Sequence, residues 1–279
     1  MFLIALYYFC RMFWRIATFV LILAMGAGIS SCSKYNKLLK SQDVELKYQK
    51  AFEYYNAKDY QRALPLFEEL IAMTRGTSRS ELVYFHYAYC YFGIRDFYLA
   101  SFYFNTFTKT YPNSEYVEEC AFMSAYCHYM NSPISSLDQS DTRRAIDQFQ
   151  LFLERYPETT RKDTTNALVE QLLGKLEEKA YENAALYYDV EQYKAAVIAL
   201  NNVLKDYPTT EYKEEIMFMI LESNYLLAIR SVIEKKQERL NTTIKSYHNF
   251  VDSYPNSKKL RQSEAIYENT IRELEKINL

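Results

Sequence analysis

The side chains best suited to chemistry are few and scattered. His86, His128 and His248 stand in separate stretches and at no ligand spacing from one another, so no metal site is predicted. With five glycines, two of them at Gly26 and Gly28, there is no phosphate-cradling loop. No serine sits in a nucleophile-elbow context, and the carboxylates are strewn along what read as solvated helix faces. No catalytic constellation emerges, so the chain reads as a non-enzyme without a cofactor. Its formal charge of −2 gives no footprint for nucleic acid. What remains is binding chemistry, in 28 tyrosines and 17 phenylalanines, and a cysteine, Cys32, in a processing context.

The elements that carry the rings repeat. Ala100–Pro112 has a small residue, aromatics at Phe104 and Phe107 on one helix face, and Tyr111-Pro112 to end the helix. The spacing recurs at Ala145–Pro157, Ala196–Pro208 and Thr243–Pro255, each ending in Tyr-Pro. Ser114, Thr159, Thr210 and Ser257 follow these prolines by two residues, placed to cap the next helix. Helix pairs are predicted at Val44–Arg75, Glu81–Pro112 and Glu177–Pro208, with small residues twelve apart at Ala51/Ala63, Ala88/Ala100 and Ala184/Ala196. Gly76 supplies the turn after the first pair. The third and fifth pairs are stretched: a polar loop, 131–141, in one and a helix-prone run, 233–241, in the other. A further helix is predicted from about Lys162 within the segment joining the third pair to the fourth. Residues 258–278 form a last helix with Leu260, Tyr267, Ile271 and Leu274 on one side. Cys120 and Cys127 lie seven apart on one predicted helix, about 10 Å along its axis, too far for a disulfide. Cys90 and Cys127 share a repeat position, which points to packing.

This alternation of small and large residues resembles the tetratricopeptide repeat. Small residues let antiparallel helices approach, and a single pair cannot bury its own apolar face, so neighbours must stack. The expected fold is an all-α superhelix of about five such pairs plus a capping helix. The resemblance implies a groove lined by the first helix of each pair. Its lining would be Tyr48, Phe52 and Tyr55; then Phe85, Tyr89 and Phe92; then Phe122, Tyr126 and Tyr129; then Tyr181 and Tyr188, with Ala185 between. The fifth pair turns aliphatic at Ile220 and Leu227. Tyrosine offers rigid area with a polar tip, suited to holding a peptide. The competing reading is that these rings pack between stacked helices.

Residues 1–31 read as an address. Arg15 precedes the apolar run Ile16–Met25 and a small-residue stretch. Ile29-Ser30-Ser31-Cys32 resembles a bacterial lipobox, which implies cleavage and lipidation at Cys32. The competing reading is a transmembrane anchor. Met1–Cys10 is apolar for a signal's front, so Met12 is a candidate start. Ser33 is not an aspartate, which by resemblance favours the outer membrane. Residues 32–43 would form a tether reaching at most about 40 Å, followed by repeats one to three over 44–160 and repeats four, five and the cap over 161–279.

The repeats, the lipid-anchored start and the Y-P-x-S/T junctions together resemble the BamD family of outer-membrane assembly lipoproteins. The residues that carry this best are 145–159, A-I-D-Q-F-Q-L-F-L-E-R-Y-P-E-T, and 181–209 with A-L-Y-Y at 185–188. The resemblance implies a non-catalytic scaffold on the periplasmic face. Its N-terminal repeats would receive unfolded outer-membrane precursors and its C-terminal repeats would dock on periplasmic domains of BamA. An arginine that proteobacterial members carry in the second helix of the fourth repeat is absent near Ala199. The alternative is a periplasmic repeat lipoprotein serving cell-envelope or peptidoglycan maintenance. A nutrient-capture lipoprotein of the SusD type would be longer.

Overall fold

The structure, a computed structural model, describes residues 34–277. The signal segment and Cys32 lie outside the described residues. Twelve helices and no strand occur among them: α1 (34–39), α2 (Val44–Asn56), α3 (Tyr60–Met73), α4 (Ser80–Gly93), α5 (Phe97–Thr110) and α6 (Val117–Asn131), then α7 (Ser140–Arg155), α8 (Lys162–Asp189), α9 (Tyr193–Asp206), α10 (Lys213–Ile229), α11 (Ile233–Ser253) and α12 (Leu260–Ile277). They form two compact units, divided between Asn131 and Ser132. Within each unit, helices adjacent in sequence pack together. The division falls in the loop of the third repeat, ahead of the 160/161 boundary drawn from sequence. The segment that looked like a linker is the front of α8, which runs unbroken for 28 residues.

The predicted small positions lie in the core. Ala51, Ala63, Ala88, Ala100, Ala145 and Ala196 are fully buried, and Ser223 and Thr243 take the same place in the fifth repeat. The turns inside repeats one, two and four are alike. Lys58, Arg95 and Glu191 adopt left-handed φ of 60°, 66° and 59°. Each turn closes with paired backbone bonds, such as Asp59 N–H to Tyr54 carbonyl at 2.9 Å and Lys58 N–H to Tyr55 carbonyl at 2.8 Å, the Schellman arrangement. Asp59 and Asp96 then cap the following helices by accepting from Arg62 and Leu99 N–H.

The hydroxyls after Tyr-Pro do something different from capping. Ser114, Thr159, Thr210 and Ser257 accept from the N–H two residues on, at 3.3, 3.2, 3.2 and 2.9 Å. That N–H belongs to the residue just before the helix, so the hydroxyl closes the lead-in turn. Thr77 does the same for Arg79 at 3.3 Å in the first repeat, where Tyr-Pro is missing.

The extra residues behave as their composition dictates. Those of the fifth repeat extend α11 to 21 residues. Those of the third form a loop in the second unit, tied down from beneath. Lys179 Nζ donates to the carbonyls of Ser135, Ser136 and Leu137 at 3.2, 3.3 and 2.7 Å. Buried Gln139 donates to the carbonyls of Ile134 and Leu137 at 2.8 and 2.9 Å. The buried stripe of α12 is Ser263, Ile266 and Thr270, not the predicted Leu260, Ile271 and Leu274. Small side chains at 263 and 270 let that face approach most closely, while Tyr267 stacks on Tyr247 at 4.5 Å. Cys90, Cys120 and Cys127 are buried free thiols, and burial pushes Cys90 and Cys127 up to about 12.

Part of the expected tether, from residue 34 on, is structured. Residues 34–39 are helical, with Leu38 in the core of the first unit. The anchor point is Lys47, whose side chain is 1% exposed and pairs with Glu69, itself 39% exposed. Its Nζ also donates to the Leu39 carbonyl at 2.9 Å. Removing the acid strands a buried ammonium, whereas removing the base leaves a carboxylate that water can reach. Glu69→Ala should therefore cost about 3–5 kcal/mol, and Lys47→Met only about 1–2 kcal/mol. Urea denaturation of the two variants measures the difference, and equal losses would contradict it.

Candidate functional site

In the first unit the nine predicted groove residues are brought together, joined by ring-to-ring contact. Tyr48 lies 4.7 Å from Phe52, centroid to centroid, and Phe52 lies 4.7 Å from His86. Tyr55 meets the same imidazole at 4.7 Å. Phe85 continues at 5.4 Å from His86 and 4.8 Å from Tyr89. Tyr89 leads to Phe92 at 6.3 Å, and Phe92 to Tyr126 at 6.2 Å. Phe122 and Tyr129 flank Tyr126 at 5.8 and 5.5 Å, nearly parallel to it at 15° and 18°. The ladder thus runs along α2, α4 and α6, the first helices of three repeats.

Two members depart from the expectation. Phe85 and Phe122 are buried, 9% and 6% exposed. Phe85 is covered by Tyr116 at 4.6 Å, so it is packing rather than lining. The other seven in this unit are half-buried. In the second unit Tyr181 and Tyr188 are also half-buried. Tyr181 stacks on Tyr212 at 4.3 Å and 4°, and the Tyr188 hydroxyl donates to Glu222 at 2.6 Å. The predicted aliphatic Ile220 is buried in the core of that unit.

Sequence reasoning missed two features. One is His86, set aside for want of metal partners, which is the hub joining the first two repeats. Its Nδ1–H donates to the Leu82 carbonyl at 2.8 Å. The other is the residue just before each first helix, two after the junction hydroxyl. Arg79, Tyr116, Tyr212 and Lys259 each lie over a ring of the preceding first helix. The Arg79 guanidinium covers Tyr48 at 4.7 Å and the Lys259 ammonium covers Phe218 at 4.6 Å. Tyr116 and Tyr212 serve Phe85 and Tyr181. Cation or ring, each gives an aromatic face a partner. The pattern Y-P-x-S/T-x-[Y/R/K] is visible in the sequence once the contact is known.

Two of the hydroxyl tips in the first unit, those of Tyr55 and Tyr89, are held neutral. Burial raises Tyr55 to about 12, with the charges of Tyr60, Cys90 and Glu119 adding to it. Burial and the hydrogen bond to Glu119 raise Tyr89 as well. The remaining histidines serve packing: His128 Nε2 meets Ser101 Oγ at 3.0 Å, and His248 packs on Tyr247 at 5.4 Å.

A family model described as an outer membrane lipoprotein, YfiO, the BamD family, matches residues 40–240. The chain belongs to this family. No curated protein matches it. Among solved structures it is similar to the TPR domain of P58(IPK), at 15% identity over 87% of this chain and 67% of that one, with a TM-score of 0.39. It is also similar to a TPR repeats protein from Bacteroides fragilis NCTC 9343, at 12% identity over 83% of this chain and 99% of that one, with a TM-score of 0.40. Family membership and stacked helix pairs make the chain a lipoprotein scaffold for protein interaction. Among the described residues no helix is long and apolar enough to cross a membrane.

Burial lowers the pKa of His86, with the Leu82 bond opposing. Its folded value lies below the unfolded value of about 6.5. The stability this contributes is present above that pH and is lost as pH falls through the folded value. The melting temperature should therefore drop more steeply with acid below about pH 6.5 in the wild type than in His86→Phe. Parallel slopes in the two proteins would contradict this.

Proposed function

We propose that this protein is a non-catalytic scaffold of outer-membrane β-barrel assembly. Cys32 carries the lipid and holds the chain on the periplasmic face. The half-buried rings of the first unit bind unfolded outer-membrane precursors, and the second unit docks on periplasmic domains of a BamA-like barrel protein. The observation that carries this reading is the aromatic ladder, whose half-buried rings are joined along three first helices in a member of an outer membrane lipoprotein family. An extended strand ending in an aromatic residue is the peptide such a surface suits. Rings give it contact area at low entropic cost, and hydroxyl tips can meet its backbone.

The ladder's two kinds of member allow a clean test. Tyr126→Ala with Tyr129→Ala should weaken binding of a synthetic aromatic-ended strand peptide about tenfold, measured by fluorescence anisotropy, with a smaller loss of stability than Phe85→Ala. Phe85→Ala should instead cost about 3–5 kcal/mol of stability. Unchanged peptide affinity in the double variant would sink the groove. Mass spectrometry of the membrane-extracted protein should find acyl chains on Cys32. Affinity purification from envelopes should recover a large β-barrel partner with tandem periplasmic domains, and recovery of peptidoglycan enzymes in its place would refute the docking assignment.

A further inference from the structure

Residues 34–39 are folded onto the first unit, which bears on the face that a lipid on Cys32 would bring to the bilayer. Helix α1 is seated on the first repeat. Leu38 is buried, the Tyr35 hydroxyl donates to the Arg62 carbonyl at 2.9 Å, and the Tyr35 ring meets Tyr54 edge-on at 5.8 Å. Buried Lys47 holds the Leu39 carbonyl at the helix end. Three Cα-to-Cα steps join Cys32 to docked Tyr35, a span of at most about 11 Å. A lipid on Cys32 therefore brings this face within about one Debye length of the headgroups.

The chemistry of the face suits that position. Lys34, Lys37 and Lys50 line a cleft of about 390 Å³ with Leu38, Leu46 and Tyr54. Lys40 is exposed beside it, and Val44 and Leu46 present apolar surface, 37% and 40% exposed. The nearby acids are engaged: Asp43 caps α2, Glu45 is held by Arg79 at 2.6 Å, and Glu53 by Lys50 at 2.5 Å. Lys34, Lys37 and Lys40 have no carboxylate partner among the described residues. We propose that this cleft and its lysines form a membrane-docking surface for the headgroup phosphates of anionic phospholipids, with Leu46 and Val44 meeting the boundary with the acyl chains. The biological placement rests on lipidation of Cys32, but the affinity for anionic headgroups does not. The two can therefore fail separately.

The test uses the processed chain carrying Cys32→Ser, which keeps every described residue and has no lipid. Cosedimentation should show binding to phosphatidylcholine vesicles that contain phosphatidylglycerol. Binding should be weak to phosphatidylcholine alone and should be lost at high salt. Lys34→Glu with Lys37→Glu should lower the affinity at least about fivefold per lysine, with an unchanged melting temperature. Should that pair disturb folding, Lys34→Gln with Lys37→Gln gives the same direction with a smaller loss. Equal binding to the two vesicle types, or full affinity in the folded variants, overturns the proposal. So does displacement by inorganic phosphate at constant ionic strength, which would make the cleft a small-anion site.

Discussion

Two α-helices can lie side by side at close range only where neither puts a large side chain between them. That constraint sets the form of both units. The alanines at 51 and 63, 88 and 100, and 184 and 196 are buried on facing helices, and a methyl group there leaves room for dispersion contact along the whole pair. Rings are displaced from this seam to the neighbouring faces. There they meet rings from the next pair, so packing within a repeat and packing between repeats are assigned to different residue types.

The abundance of tyrosine follows from this division. Helix α4 carries rings on nearly all sides. Phe85, Tyr89 and Phe92 belong to the ladder. Tyr87 and Tyr91 form a second cluster, in which Tyr103 lies 4.7 and 4.9 Å from them. The second cluster packs against the core of the first repeat pair. A phenylalanine could fill the same volume but would leave no polar edge at the surface. Tyrosine serves both as cement and as lining, and the two roles differ only in whether a further helix covers the outer face.

The N-terminal end shows how a small charged contact governs orientation. Lys47 is an unusual residue to bury, and burial of an ammonium is tolerable only with Glu69 and the Leu39 carbonyl in place. The contact converts a stretch that could have been a free leash into part of the fold. The seat of α1 on the first unit then rests in part on this one contact.

Much of this was legible in the sequence because it is local. The spacing of small residues, the Tyr-Pro helix ends, the lengthened α11 and the start of α8 follow from periodicity and backbone chemistry within a few residues. The sequence by itself determined an all-helical chain of repeated pairs, the packing role of the cysteines and the stripe of rings along the first helices of the first three repeats. Only the tertiary structure decided which rings are sealed, because Phe85 is closed over by Tyr116, thirty-one positions away, and no periodicity encodes that pairing. The same holds for His86 as the hub between repeats and for Lys47 as the clasp of α1. Exposure is a property of what covers a residue, and the cover here comes from another helix.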